Sequence, residues 1–185
     1  MPIIRYLPNR IQRPPVILDV PSAWKGLESI IDDMLEKFGV GRERALEFGV
    51  EFGYSIVALS NFFEEIVGVD TFEGDQHTYD KNVPDLFPVV RDVMPVNVRL
   101  VQSRYQDYKD DGQYDLIHVD IVHTYEDTFA CGDWAMEHSN FVIFHDTESF
   151  PDVKRAVMDL AKKHTADFYN YPHCYGLGIL WRKLQ

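Results

Sequence analysis

The sequence predicts an α/β fold in which a doubly wound, mostly parallel sheet is covered by helices on both faces. Two observations predict it. Short apolar runs alternate with stretches of helical periodicity, and no repeat or low-complexity tract interrupts them. The chain has 185 residues, of which 45% are hydrophobic and 14% aromatic, enough to bury a substantial core. We therefore expect one domain over residues 1–185.

The N-terminal region predicts an arm followed by a helix. Residues 1–21 carry prolines among apolar residues, which is typical of an extended arm packed on the body or on another subunit. In residues 22–39, apolar side chains recur at three- and four-residue spacing. This spacing predicts an amphipathic leading helix, with Ser22 as its N-cap and Gly39 or Gly41 near its end.

Apolar runs after this helix predict the strands of the sheet, namely RALEF, EEIVGVD, NVRLVQS, YDLIHVD, NFVIFHD and GLGILWRK. Helices are predicted between them near residues 54–63, 84–93, 125–137 and 152–164. The segment NYPHCYGLGILWRK predicts a terminal hairpin that turns around Tyr175 to Gly178. Ligands of such open sheets bind beyond the carboxyl ends of the strands. The residues that end each strand are therefore the first candidates for a site.

Composition excludes several classes of partner. The formal net charge is −12, with acids spread along the chain, so nucleic acid would be repelled and a cationic ligand or metal ion would be favoured. Cys131 and Cys174 are far apart and lack metal-type spacing, which argues against a disulfide framework or a zinc site. No apolar stretch approaches the length of a membrane span, and the first 20 residues lack the apolar core of a signal peptide. We expect a cytoplasmic protein with no membrane partner.

A glycine-containing turn follows the first strand of the predicted sheet. Gly49 would let the chain turn tightly and let a ligand approach the backbone, and the helix after Gly53 would offer unpaired N–H groups. Asp70, at the end of the next strand, is placed to accept hydrogen bonds from a ribose diol. The pattern predicts an adenosine derivative as ligand, whereas the simpler alternative is that the glycines serve packing alone.

The spacing of these glycines bears on the kind of nucleotide. Dinucleotide sites require G-x-G-x-x-G, whereas this chain has E-x-G-x-x-x-G with Glu51 inside the turn. A pyrophosphate would be repelled by that acid, and a sulfonium would not. The pattern favours S-adenosylmethionine over NAD.

Four segments together carry a resemblance to a known family: LEFGVEFGYS, VGVDTFEGDQH, YDLIHVDIVHTYED and FVIFHDTESFPDVKRAV. With them the sequence resembles the class I S-adenosylmethionine-dependent methyltransferases, in particular methyltransferase family 24, over roughly residues 40–183. The resemblance implies a three-layer Rossmann-like sheet of seven strands with one antiparallel strand near the C-terminus. The cofactor contacts that the resemblance implies are Glu47, Phe48, Gly49 and Ser55 around the methionine part, Asp70 on the ribose, and Ser103 with Arg104 near the adenine. Gly53, Thr71 and Asp120 are further predicted cofactor contacts.

Acids at two further strand ends predict a metal site. Asp120 and Asp146 end neighbouring strands, and adjacent strands lie about 4.8 Å apart, so the two carboxylates can share one ion. Oxygen ligands suit Mg²⁺ or Mn²⁺. His145 stands where some metal-dependent relatives carry a second acid. The alternative is that Asp120 caps a helix and Asp146 begins the next one.

The histidine after Asp120 is the predicted general base. Methyl transfer to an alcohol requires the oxygen to lose its proton, and a histidine that titrates near neutral pH can take it. In related sugar methyltransferases the base follows the fourth-strand acid, and the resemblance places His123 there. Asp120 and His123 are the predicted catalytic pair.

These observations predict a methyltransferase that acts on a hydroxyl of a small-molecule acceptor. The alternatives are a non-catalytic module that binds an adenosine derivative and, less favoured, an NAD-dependent oxidoreductase. The polar segment TFEGDQHTYDKNVPDLF predicts a lid over the acceptor, with Asp75, His77 and Tyr79 as contacts. The proline-rich arm favours a homodimer.

Overall fold

A mixed sheet of eight strands forms the centre of the protein. The computed structural model describes residues 2–74 and 86–183, so the predicted acceptor contacts of Asp75, His77 and Tyr79 lie outside the described residues. The strands are β1 (Ile4–Arg5), β2 (Arg44–Phe48), β3 (Glu65–Asp70), β4 (Val98–Gln102), β5 (Leu116–Val119), β6 (Phe141–His145), β7 (Asp167–Tyr171) and β8 (Leu177–Trp181). The α-helices are α1 (Ile31–Phe38), α2 (Tyr54–Ser60), α3 (Leu86–Arg91), α4 (Tyr125–His138) and α5 (Pro151–Lys163).

The strand order is β1-β7-β8-β6-β5-β2-β3-β4. Among the described strands, β8 alone runs antiparallel to its neighbours β6 and β7, and the remaining pairs are parallel. The predicted mostly parallel sheet with one antiparallel strand is confirmed, and the arm adds β1 as an eighth, edge strand. Chain order reverses between β2 and β5, and this reversal is where ligands bind in such sheets.

Two hydrophobic clusters lie on opposite faces of the sheet. Successive strand residues point to opposite faces, so Ala45 joins a cluster with residues of α1 and α2, whereas Leu46 joins one with residues of α4 and α5. The predicted three layers are confirmed. Within the two described ranges, no helix combines the length and apolar character needed to cross a lipid bilayer.

The leading helix is shorter than predicted. Its α-helical part begins at Ile31 after a 3-10 turn over Leu27–Ile30, whereas the sequence predicted one helix across residues 22–39. Ser22 does not cap this helix, because its hydroxyl accepts the N–H of Trp24 at 3.1 Å and closes a separate turn. The predicted end is confirmed, since Gly39 takes the left-handed conformation with φ 63°.

The N-terminal arm packs on the body of its own chain. Ile4 of β1 lies opposite Tyr169 of β7 in parallel register. The buried Tyr6 donates its hydroxyl to Asp33 Oδ2 at 2.5 Å, and burial together with Asp33 raises the pKa of Tyr6 far above its ordinary value. The N–H groups of Asn9 and Arg10 donate to Asp33 Oδ1 at 3.0 and 2.9 Å. Asp33 is therefore the anchor of the arm.

Replacing this anchor should cost more than replacing one of its donors. Asp33→Ala is expected to lower the free energy of unfolding by about 3 kcal/mol, because three donors lose a charged acceptor, whereas Tyr6→Phe should cost about 1 kcal/mol. Urea denaturation followed by circular dichroism measures both variants. Equal losses for the two variants would show that Asp33 does not hold the arm.

Candidate functional site

A cavity of about 490 Å³ opens at the carboxyl ends of the parallel strands. The turns that follow β2, β3, β4, β5 and β6 line it, and residues 21–24 line a further part. The predicted site residues in its lining are Gly49, Ser55, Asp70, Thr71, Ser103, Arg104, Asp120, His123 and Asp146. The predicted residues Glu47, Phe48 and Gly53 lie outside the lining.

Gly49 brings the ends of β2 and β5 together. Its φ is 89°, and its N–H donates to the carbonyl of Val69 at 3.0 Å. A Cβ at this position would lie 1.6 Å from the carbonyl oxygen of Asp120. Glycine is therefore required at position 49 because the backbone of Asp120 approaches it closely, whereas the sequence predicted the approach of a ligand. Gly53 is the N-cap of α2 and takes the left-handed conformation with φ 85°, which favours glycine there.

The carboxylate of Asp70 holds the glycine-containing turn in place. Its Oδ2 accepts the N–H groups of Val50 and Glu51 at 2.7 and 2.8 Å, and its Oδ1 accepts the N–H of Phe72 at 2.8 Å. A carboxylate has about four acceptor sites, so one remains for a ligand hydroxyl. Asp70 lines the cavity, as a ribose contact requires, and it also shapes the turn.

Removing the Asp70 carboxylate should loosen this turn. Asp70→Ala is expected to lower the free energy of unfolding by about 2 kcal/mol, because three backbone donors lose a charged acceptor at a partly buried site. Asp92→Ala is the control, since Asp92 is exposed and pairs with Arg91, and its loss should cost under about 0.5 kcal/mol. Urea denaturation measures both variants, and similar losses would contradict the role of Asp70.

A buried polar network joins Trp24 and Ser55, which line the cavity, with Glu47 and His118, which lie outside the lining. Trp24 Nε1 donates to His118 Nε2 at 3.2 Å, so His118 carries its proton on Nδ1, which lies 2.9 Å from Glu47 Oε1. The hydroxyl of Ser55 donates to the same oxygen. Burial raises the pKa of Glu47, although hydrogen bonds from His118 and Ser55 oppose the shift. Glu47 thus lies outside the cavity lining and accepts hydrogen bonds from His118 and Ser55, whereas the sequence predicted that it contacts the cofactor.

Of the remaining predicted cofactor contacts, Phe48 points away from the cavity, whereas Thr71, Ser103 and Arg104 line it. The ring of Phe48 packs against Tyr108 and Trp134 in the cluster that includes α4, away from the cavity. Thr71 lies in the turn after β3, and Ser103 and Arg104 lie in the turn after β4. A hydrogen bond connects the ends of these two strands, because the side chain of Gln102 donates to the carbonyl of Thr71 at 3.2 Å.

Four side chains at the ends of β5 and β6 meet in an acid–histidine cluster, which consists of Asp120, His123, His145 and Asp146. His123 Nε2 lies 2.9 Å from Asp146 Oδ2 and 3.9 Å from Asp120 Oδ1. His145 Nδ1 lies 3.2 Å from Asp120 Oδ2 and 3.2 Å from Asp146 Oδ2. The structure therefore brings together the predicted pair of acids and the predicted base.

Local structure holds His123 in place. Its ring stacks on Phe150, with the centroids 4.0 Å apart and the planes at 6°. Thr124 caps α4 directly after it, because the threonine hydroxyl accepts the N–H of Asp127 at 3.1 Å. The imidazole is thus packed on Phe150, and its residue directly precedes the N-cap of α4.

The hydrogen-bond pattern makes His145 a cation. Its Nε2 lies 3.2 Å from the carbonyl oxygen of Cys174, which only accepts, and its Nδ1 faces two carboxylates. Burial would lower the pKa of His145, but Asp120 and Asp146 outweigh it and raise the pKa to about 10. Burial would also lower the pKa of His123, but hydrogen bonds to Asp120 and Asp146 outweigh it and raise the pKa to about 9. Despite burial, the two histidines hold the pKa values of both acids below the ordinary range.

The donor atoms in this cluster suit a hard divalent cation. Ligand atoms of Asp120, His123 and Asp146 lie within 4.8 Å of one another, and carboxylate oxygens are the ligands that Mg²⁺ and Mn²⁺ prefer. His145 contacts both carboxylates, so a bound cation would share their oxygens with its N–H group. The carboxylate oxygens suit the predicted metal, whereas the positive charge of His145 beside them opposes the binding of a second cation. The metal site therefore stays a prediction.

Sequence reasoning gave no site role to Trp24, His118 or His145. Trp24 fits the apolar period of the predicted leading helix, and His145 was noted only as a histidine where some metal-dependent relatives carry a second acid. A signal for His118 existed, because a histidine and a glutamate inside two otherwise apolar strands must find partners when buried. The register confirms this, since Glu47 pairs with His118 across β2 and β5.

Comparison with known proteins identifies what the chain is similar to. A family model described as a methyltransferase domain matches residues 46–147. An uncharacterized protein of Sinorhizobium fredii, y4gI, is 30% identical over 158 residues, which cover 76% of this chain. The chain spans 17% of the length of that curated relative.

Two solved structures share the fold. One is the S-adenosylhomocysteine-bound methyltransferase PaMTH1 of Podospora anserina, with 15% identity, a TM-score of 0.64, and coverage of 89% of this chain and 80% of that one. The other is S-adenosylmethionine-bound CalS10, an amino pentose methyltransferase of Micromonospora echinaspora, with 10% identity, a TM-score of 0.66, and coverage of 88% and 92%. At these identities the similarity concerns the fold alone.

Proposed function

The chain belongs to the methyltransferase domain family whose model matches residues 46–147, and from this premise we propose that it transfers a methyl group from S-adenosylmethionine to a hydroxyl of a small molecule. The observation that carries the proposal is that one cavity contains both halves of such a site. The turn at Gly49 with Asp70 lines one part of it, and the acid–histidine cluster lines another.

The cofactor half suits a sulfonium nucleoside. Asp70 keeps one acceptor site for a ribose hydroxyl, and Thr71, Ser103 and Arg104 line the same cavity. Glu51 also lines the cavity and would repel a pyrophosphate, but it would attract a positively charged sulfur. This charge pattern supports S-adenosylmethionine over NAD.

The acceptor half suits removal of a proton from a hydroxyl. His123 lines the cavity and is the proposed general base, and Asp120 and Asp146 orient its ring and stabilise the imidazolium that forms. The cavity walls would align the acceptor oxygen with the methyl group, which lowers the entropic part of the barrier. Asp120 and Asp146 would hold Mg²⁺ or Mn²⁺, and a bound cation would lower the pKa of the acceptor hydroxyl.

Calorimetry tests the cofactor class directly. We expect the protein to bind S-adenosylmethionine and S-adenosylhomocysteine with micromolar dissociation constants, which correspond to a binding free energy of about −8 kcal/mol. NAD should bind at least about 100-fold more weakly. Titrations in EDTA and in Mn²⁺ report whether the metal contributes. Binding of NAD in preference to either sulfur nucleoside would contradict the proposal.

A further inference from the structure

Residues 21–24 form part of the cavity wall although they precede the segment that matches the family model. Pro21, Ser22, Ala23 and Trp24 all line the cavity. A turn keeps them in place, because Ser22 Oγ accepts the N–H of Trp24 at 3.1 Å and the carbonyl of Trp24 accepts the N–H of Leu27 at 3.0 Å. The site therefore includes a wall that lies outside residues 46–147.

The indole of Trp24 is connected to Ser55, elsewhere in the same wall, through buried groups. Trp24 is 1% exposed, and His118 and Glu47 are fully buried. The indole N–H donates to His118 Nε2, which leaves the proton of His118 on Nδ1. That N–H donates a hydrogen bond to Glu47 Oε1, and the same oxygen accepts a hydrogen bond from the hydroxyl of Ser55.

We infer that Trp24 is a positioning residue for cofactor binding, because it sets the tautomer of His118 and, through Glu47, the direction of the Ser55 hydroxyl. A hydroxyl that donates to Glu47 turns its lone pairs elsewhere, and Ser55 can present them to a donor group of the ligand in the cavity. The inference rests on the proposed function, since it takes the ligand to be S-adenosylmethionine or its product.

A double-mutant cycle tests the connection. Trp24→Phe removes the indole N–H and keeps an aromatic ring, and Ser55→Ala removes the hydroxyl at the other end. Each is expected to weaken binding of S-adenosylhomocysteine about tenfold by calorimetry, and the double variant should bind no more weakly than either single variant. Trp181→Phe is the control, since Trp181 packs on Phe38 away from the cavity and should bind as the wild type does.

Two results would overturn the inference. One is a folded Trp24→Phe variant, judged by circular dichroism and unfolding midpoint, that binds within twofold of the wild type. The other is a double variant whose loss is the product of the single losses, about 100-fold, because independent sites multiply in this way.

A measurement on the wild type keeps the inference separate from the proposed function. Nitrogen-15 NMR of the imidazoles should show His118 with its proton on Nδ1 and an acceptor Nε2, and a proton on Nε2 would overturn the inference without any variant. Failure of the wild type to bind either sulfur nucleoside would instead overturn the proposed function, and a comparison of the His118 tautomer in the wild type and in Trp24→Phe would still decide whether Trp24 controls His118.

Discussion

Gly49→Ala is expected to be the most damaging single substitution at the site, with a loss of about 4 kcal/mol in the free energy of unfolding and no detectable cofactor binding. The added Cβ would lie 1.6 Å from the carbonyl oxygen of Asp120, and both partners of this contact belong to the backbone. No rotamer relieves it, so the ends of β2 and β5 must separate. The positive φ of 89° adds a further cost for any residue with a side chain.

A second glycine isolates the steric part of this effect. Gly39 has φ 63°, and a Cβ added there would meet nothing within 4 Å. Gly39→Ala should therefore cost about 1 kcal/mol, the price of the left-handed conformation alone. Urea denaturation of both variants and calorimetry with S-adenosylhomocysteine provide the measurements. If the two alanine variants were equally stable, the contact between Gly49 and Asp120 would not constrain the fold.

His123→Ala is expected to have the largest effect on activity with the fold kept. Loss of a general base typically lowers the rate by about 10² to 10⁴, and the same loss should appear in kcat, while binding of S-adenosylhomocysteine stays within about threefold of the wild type. Steady-state kinetics with EDTA present measure the contribution of the imidazole without added metal. His173→Ala is the control, because His173 contacts Tyr171 outside the cavity lining.

The dependence on pH gives an independent test of His123. A base acts when it has lost its proton, and Asp120 and Asp146 raise the pKa of His123 to about 9. With EDTA present, the rate should therefore rise about tenfold per pH unit below pH 8 and level off above the pKa. The His123→Ala variant should lose this rise. Methyl transfer by His123→Ala at the wild-type rate in EDTA would rule out the base.

Several elements were predictable because their signals are local. Strands β2 to β6 lie within the apolar runs from which they were predicted, and α4 ends at His138, within one residue of its predicted bound. The leading helix was predicted too long, because apolar spacing does not reveal that Ser22 binds the N–H of Trp24 in a turn of its own. Side-chain hydrogen bonds of this kind compete with helix and are not visible in the apolar period.

The candidate site was predictable in its position and only partly in its contacts. Strand ends carry the ligand in parallel sheets, so Asp70, Asp120 and Asp146 could be expected at one edge. The contacts of Asp70 with the turn at Val50 and the charge of His145 could not be expected, because both depend on which backbone groups the folded chain brings within hydrogen-bond distance.

The sequence by itself determined the α/β class, the mostly parallel sheet and the edge at which the site lies, because apolar periodicity and strand-end residues are local properties of the chain. The tertiary structure decided which side chains act together. Glu47 and His118 are separated by 71 residues along the chain and meet because β2 and β5 are neighbours in register. Such pairings follow from strand order, and strand order depends on how the whole chain buries its apolar faces.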